Sequence, residues 1–367
     1  MKNNENREPP ARSLDVKCPD LPQNNLASTL RSKVARKLPA AFQRLLLNRL
    51  FYFLNRKRKR ILTYHNVIPD RQFRDVPAEG VSHQVSVFKQ QIEHLSARFP
   101  IGLNLEDPRE LMLTFDDGYW NQYEFVHVVL KEHGIRGYFF FTLDLLSGDH
   151  PLLIDQLLFW LSYVDRGTYQ VRIEGRLIQL QIETDQDRHR CWQELYPIIR
   201  PNFKSLAPSL LAEFESCYPS EILVHKVDQD YYRQRFTAVL PDALSEMKSY
   251  GHMIGAHGKT HAPLAALDRA ELEEEMVSCR QAIGVTFNCT AFSFPFGGVE
   301  ESCQGVSNFG FSQIFGNINC PLPASWKYSN SFIPRMSLPN EANAAELDFI
   351  LSGAKYFLTN FKLLPKW

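Results

Sequence analysis

The chain has 367 residues, is 44% hydrophobic and 22% charged, and balances 41 Lys+Arg against 41 Asp+Glu. That composition excludes a collagen-like, coiled-coil or wholly disordered chain, and the length suits one large α/β domain with additions, or two domains. With a formal net charge of zero the chain has no global field to draw in a polyanion, so nucleic acid is not an expected partner.

In chain order, residues 1–28 are rich in Asn, Pro and charge and read as a disordered tail. They contain neither an apolar core segment nor a small-residue cleavage site, so no secretory signal is visible and a cytoplasmic location is expected. Residues 29–60 form the next unit. Within it the run AFQRLLLNRLFYFL, residues 41–54, is apolar but too short to span a bilayer, and five basic residues, Arg56 to Arg60, follow at once. Such a helix either packs on the domain or lies on an anionic membrane surface, so residues 41–60 are a candidate peripheral contact with the inner membrane.

From Arg60 the pattern alternates between strand and helix. RILTYH (60–65), LMLTF (111–115), GYFFFT (137–142) and TAFSF (290–294) are short β-rich runs. Tyr123, Val126, Val129 and Leu130 mark a helical face closed by Gly134. One helix ends near Gly251, and another runs from an Asp268 cap to Gly284. This rhythm implies a parallel sheet, open or closed into a barrel. Residues 150–240 interrupt it with a helical run, LLIDQLLFWLSYV, a hairpin around Glu174-Gly175 and further helix-prone sequence. The stretch reads as a helical and hairpin insertion into a domain covering 61–367. The seven cysteines form no C-x-x-C pair and read as reduced, mostly buried thiols.

Three segments at expected strand ends carry the chemistry. In Thr114-Phe115-Asp116-Asp117-Gly118, one of two adjacent carboxylates can hold a metal while the other takes a proton from an attacking water, although an Asp-Gly turn by itself needs only one Asp. In His257-Gly258-Lys259-Thr260-His261, two imidazoles four residues apart can converge on one ion, although eleven histidines make chance pairs common. In Ser293-Phe294-Pro295-Phe296-Gly297-Gly298, the turn can present a backbone N–H to a developing oxyanion, although most such turns are only turns.

Together these segments resemble the motifs of the polysaccharide deacetylases of the NodB-homology type, carbohydrate esterase family four. The T-F-D-D-G motif stands at Thr114 to Gly118, H-x-x-x-H at His257 to His261, and the R-x-P-[FY]-G motif at Ser293 to Gly297. The resemblance covers about residues 60–340. It implies a distorted (β/α) barrel with one divalent metal, zinc first and cobalt, nickel, manganese or iron as alternatives. The implied reaction removes an N-acetyl group from an amino sugar of a bacterial glycan or glycan precursor. Asp117, His257 and His261 would be metal ligands, Asp116 the general base, and the N–H of Phe296 an oxyanion donor. The chain departs from the family at Ser293, where Arg is usual, and it shows no late Leu-x-His motif. Tyr64-His65 resembles a variant among poly-N-acetylglucosamine deacetylases, which makes His65 the candidate acid. Arg335 is read as the partner of Asp116, and Phe296, Gly297, Trp120 and Arg335 as the substrate-binding group. Alternatives on the same fold are hydrolysis of another amide or an O-acetyl ester, or glycan binding without catalysis.

Overall fold

The computed structural model describes residues 37–70, 81–148, 150–297, 303–322 and 332–360. The tail expected over 1–28, and residues 29–36 of the following unit, lie outside them. Among the described residues, seven strands are each parallel to their neighbours and close into a barrel. In chain order they are β1 (Arg60–Tyr64), β2 (Leu111–Phe115), β3 (Tyr138–Phe141), β4 (Met253–Ala256), β5 (Ala291–Ser293), β6 (Gln313–Asn317) and β7 (Phe332–Ser337). Each strand pairs with its neighbours in sequence, and β7 closes on β1 through Leu62↔Met336 and Thr63↔Ser337. The expected (β/α) barrel is therefore the fold.

Strand alternation sorts the side chains into two populations. Leu62, Tyr64, Leu113, Phe115, Phe139 and Ile254 face the surrounding helices and join one large cluster. The residues between them point inward. Ile61, Met112, Phe140, Ala291, Phe315 and Ile333 make a dry lower plug. Above it the inward positions are polar: Thr63 reaches Thr114 at 3.2 Å and Asn317 at 3.1 Å. Gly255 belongs to this inward set and has no room for a side chain, since a Cβ there would come within 2.5 Å of the Phe140 ring. The plug makes the barrel a packed core open for chemistry only at its upper rim.

Helices cover the barrel as the sequence pattern anticipates. The helix Pro241–Tyr250 stops at Gly251 with φ 105°, and Arg269–Cys279 opens with an Asp268–Glu271 capping box. The face read at Tyr123 to Leu130 is a π turn, Gln122–His127, that runs into a short α-helix, Val128–Glu132.

Residues 152–239 supply most of a second cluster beside the rim. The hairpin Gly167–Ile173 and Arg176–Ile182 turns through Glu174 and Gly175, both with positive φ. It lies against the helices Leu153–Tyr163 and Phe203–Cys217, where Trp160 stacks on Phe214 with ring centroids 4.1 Å apart. Tyr119, Ala262 and Phe296 join this cluster, so it packs directly on the loops of the rim. Its exit, residues 237–239, clamps the loop after β2: the Trp120 N–H donates to the Thr237 carbonyl at 2.7 Å and the Val239 N–H to that of Gly118 at 3.0 Å.

Candidate active site

Continuing the inward register of each strand by one step past its end places Asp116 after β2, His65 after β1 and His257 after β4 at the same level, beside Ser293 of β5 and Arg335 of β7. Four of the five are essentially buried, and His65 keeps the edge of its ring in solvent. Asp117 would point away from the axis on a continued strand. Its backbone instead takes φ 82°, and that of Gly118 φ 93°, which turns the second carboxylate back into the rim. Gly118 is required there, because a Cβ would meet Phe141 Cδ1 at 2.4 Å.

Asp117 and the two histidines then converge. Asp117 Oδ1 lies 3.2 Å from His257 Nε2 and 3.2 Å from His261 Nε2, and one ligand atom from each of the three falls within 4.8 Å of the others. The loop between the histidines is held by Glu275, a buried carboxylate that accepts from the N–H of Lys259 at 2.6 Å, the N–H of Thr260 at 3.2 Å and the Thr260 hydroxyl. His257 Nδ1 lies 2.9 Å from the Ser293 carbonyl, which can only accept. The proton is therefore on Nδ1, and the Nε2 lone pair faces Asp117.

Asp116 sits in a different cage. Arg335 grips it with two hydrogen bonds, Nη1 to Oδ1 at 2.8 Å and Nη2 to Oδ2 at 2.6 Å, while Ser293 Oγ lies 3.3 Å from Oδ2. Arg335 is itself fixed by Ser293 Oγ at 2.7 Å and Thr114 Oγ1 at 3.1 Å. Burial acts to raise the pKa of Asp116, but Arg335 and the nearby histidines outweigh it and hold the carboxyl below its ordinary range. Asp117 lies well below that range: burial is again outweighed, here by the His257 and His261 imidazoles beside it. His257 is opposed by burial, yet the two carboxylates raise it above an ordinary imidazole. The centre is thus electron-rich and attracts a positive species.

His65 stands at the rim with Nε2 3.9 Å from Asp116 Oδ2, and its backbone carbonyl accepts from Gln122 Nε2 at 3.0 Å. Burial lowers its proton affinity against the pull of Asp117 and Asp116. Phe296, at φ 55°, lays its ring 4.9 Å from that of His261 and 5.3 Å from Phe203, with Gly297 next to it at φ 76°. Trp120 is placed differently from the other candidates. It is half-buried and turned to Glu124, bonded at 2.6 Å, to Tyr123, and to the Arg233 guanidinium above its ring. Arg335 is also not a substrate-facing group, since it is wholly buried behind Asp116. A cavity of about 450 Å³ opens beside the His257–His261 loop, between Asp144 and His150 on one side and Leu152, Phe203 and Lys204 on the other.

Sequence reasoning missed Glu275. It sits in the middle of a helix, with no local pattern to tie it to a loop 15 residues earlier. It also missed Asp155, Arg235 and Tyr119, a buried ion pair and phenol just behind the rim.

Comparison with known proteins bears on this geometry. Residues 222–314 match the family model described as polysaccharide deacetylase. The resemblance read from the motifs therefore stands. The matched span contains His257, His261 and Ser293 to Gly297, while Thr114 to Gly118 precede it and Arg335 follows it. No curated protein matches the chain. Among solved structures, the chain is similar to a Bacillus anthracis protein named as a polysaccharide deacetylase, at 10% identity and a TM-score of 0.50, over 80% of this chain and 69% of that one. It is also similar to the Streptococcus pyogenes deacetylase PplD, solved with acetate, at 11% identity and TM-score 0.49 over 80% and 98% of the two chains. IcaB of Ammonifex degensii gives 14% identity and TM-score 0.44 over 80% and 97%. At these identities the first of the three supports the barrel fold and nothing finer.

Proposed function

We propose that the protein is a metal-dependent hydrolase that removes the N-acetyl group from an amino sugar of a bacterial glycan or glycan precursor. The observation that carries this reading is the pairing, at one barrel rim, of an Asp117–His257–His261 cluster with a separate carboxylate, Asp116, locked as an anion by Arg335. The family match over residues 222–314 supports it.

The donor set fits a divalent ion. Asp117 Oδ1 is buried without a hydrogen-bond partner among the described residues, both histidine Nε2 atoms face it, and the Nδ1 proton of His257 is committed elsewhere. Two imidazoles and one carboxylate suit zinc first, with cobalt, nickel, manganese and iron as competitors. When bound, such an ion polarises the acetamide carbonyl and makes water more acidic.

The remaining work falls to the side chains. Asp116, kept ionised by Arg335, takes the proton of the attacking water; Arg335 and Ser293 prevent its carboxylate from rotating. The backbone N–H of Phe296 donates to the oxygen on which charge develops. His65, at the open edge of the site, delivers a proton to the departing amine nitrogen, without which the C–N bond cannot break cleanly. The Phe296 ring, packed on His261, keeps bulk water off that side.

The test is metal content and acetate release measured together on the wild type and Asp117→Ala, with N-acetylated and O-acetylated sugars as substrates. Bound metal and acetate appearing with a free amine, both lost in Asp117→Ala, support the proposal. Acetate from esters alone moves the activity to O-deacetylation. A folded wild type that binds no metal after reconstitution rejects the ligand assignment.

A further inference from the structure

The rim does not use the N-terminal helical segment, whose surface is unlike the rest of the molecule. Between residues 37 and 60 the chain carries eight Lys or Arg and no Asp or Glu. Residues 37–44 and Leu47–Leu54 are helical, broken at Leu46 with φ 54°. One side of the pair is satisfied: Phe42, Leu47 and Phe51 pack on Phe349, Ala354 and Leu358. The other side is not. Leu45, Leu46, Leu50, Phe53 and Leu54 are 69%, 56%, 51%, 61% and 63% exposed, a third of the fifteen exposed large apolar side chains among the described residues, gathered within ten positions. Arg44, Arg49, Arg56 and Lys57 are exposed between and beside them. Arg56 lies with its guanidinium 4.2 Å from the centroid of the Phe53 ring and donates to the Phe53 carbonyl at 2.9 Å, so cation and ring are presented as one unit.

We propose that this face docks on an anionic lipid surface. Its apolar tips are the size and spacing to enter the headgroup boundary, and its unrelieved positive charge complements acidic phospholipid. A second copy is a poor occupant, because a two-fold contact would set two such faces against each other with no acidic residue from this segment between them. No helix among the described residues is long and apolar enough to cross a membrane, so the contact is peripheral. The segment enters the barrel at Arg60, the first residue of β1, whereas His65 follows the last. Attachment is therefore at the end of β1 away from the rim, about 16 Å distant for five residues of strand, and leaves the site uncovered.

The experiment is sedimentation of the full-length protein with vesicles of phosphatidylcholine alone or with one third phosphatidylglycerol, at low and high salt. The variants are Leu50→Ser with Phe53→Ser, and Arg44→Gln with Arg49→Gln. These positions are exposed and distant from the cluster, and bound metal and circular dichroism matching the wild type confirm that the variants fold. The expected result is binding at least about tenfold stronger to the anionic vesicles, reduced by salt, and lowered about tenfold in each double variant. Equal binding to both vesicles, or none, overturns the proposal. Self-association abolished by Leu50→Ser with Phe53→Ser, without vesicle binding, assigns the face to a second copy and overturns it too.

Discussion

Among the described residues two arginine–aspartate pairs are buried, one in the barrel rim and one where residues 152–239 meet it, and they are built to opposite ends. Arg335 grips Asp116 with both Nη atoms, and Ser293 and Thr114 complete the cage. Arg235 reaches Asp155 with Nη2 alone, at 3.0 Å; Tyr119 OH supplies the second bond, and the rest of the guanidinium lies over the Tyr119 and Phe236 rings. Burial is the largest influence on both carboxyls, yet Asp116 ends below the ordinary range and Asp155 above it. The number of charged donors decides the outcome. The pair whose carboxylate is the proposed base has two guanidinium bonds, while the pair that fastens the lobe to the barrel has one.

The sharpest way to break this contrast is Asp116→Asn. It is expected to lower kcat by about 10²–10⁴ while the metal content stays at the wild-type level, as measured by acetate release and metal analysis on the same sample. A loss of under threefold would strip Asp116 of its role as base. Asp155→Asn should behave in the reverse manner. It leaves Arg235 buried and uncompensated, so stability to denaturant falls by about 3–5 kcal/mol, while kcat in the cold, where the protein is folded, stays within about threefold of the wild type. A hundredfold loss of kcat with full metal occupancy would show instead that this pair belongs to the catalytic centre.

Acid should separate the two regions next. In the barrel, His252 Nδ1 accepts from the Gly137 N–H at 3.1 Å, which leaves the proton on Nε2 for His127 Nδ1 at 3.0 Å. Burial, with help from His127 and Arg136, takes its pKa down to about 3 from 6.5. Between these values the unfolded chain binds the extra proton, so stability falls as the pH drops through that window, by about 2 kcal/mol at pH 5. Asp155 has the opposite sign. Its folded value lies above its unfolded one, so the native state takes the proton first and acid at this site does not lower stability. Denaturation followed from pH 7 to pH 5 should lose part of its slope in His252→Phe, the rest coming from His83, whose pKa burial also takes down to about 3, and should keep its full slope in Asp155→Asn; the reverse result would place the acid sensitivity outside the barrel. The smallest effect is expected from Ser293→Ala. It removes one bond to Arg335 and a long contact to Asp116, worth about 0.5–1.5 kcal/mol, and should reduce kcat about twofold to tenfold with KM unchanged.

Much of the barrel could be read from the chain because β1, β2 and β3 are short, mostly apolar runs between turns, aromatic throughout in β3. β6 and β7 could not. QIFGN contains a glycine and FIPRMS a proline, and both argue against a strand. Pro334 is accommodated because its register partner is Gly316 and because β7 pairs with β1 only from Met336 onward. The histidine loop and the aspartate pair were visible as motifs. What supports them was not: Glu275 and the pair Asp155–Arg235 act across 15 and 80 residues of sequence, where periodicity carries no signal. Nor does spacing announce that Asp117 must abandon the strand conformation to meet His257 and His261. Only the glycine that follows it hints at the turn.

That turn sets folding against chemistry at a single residue. A left-handed backbone at a residue with a Cβ costs about 1–2 kcal/mol that glycine escapes, and at Asp117 the two imidazoles beside its carboxylate offset that cost. On the proposed reading, glycine at this position would relax the backbone and at the same stroke remove the carboxylate that faces both imidazoles, so the most comfortable residue for the turn is the one that would silence the site.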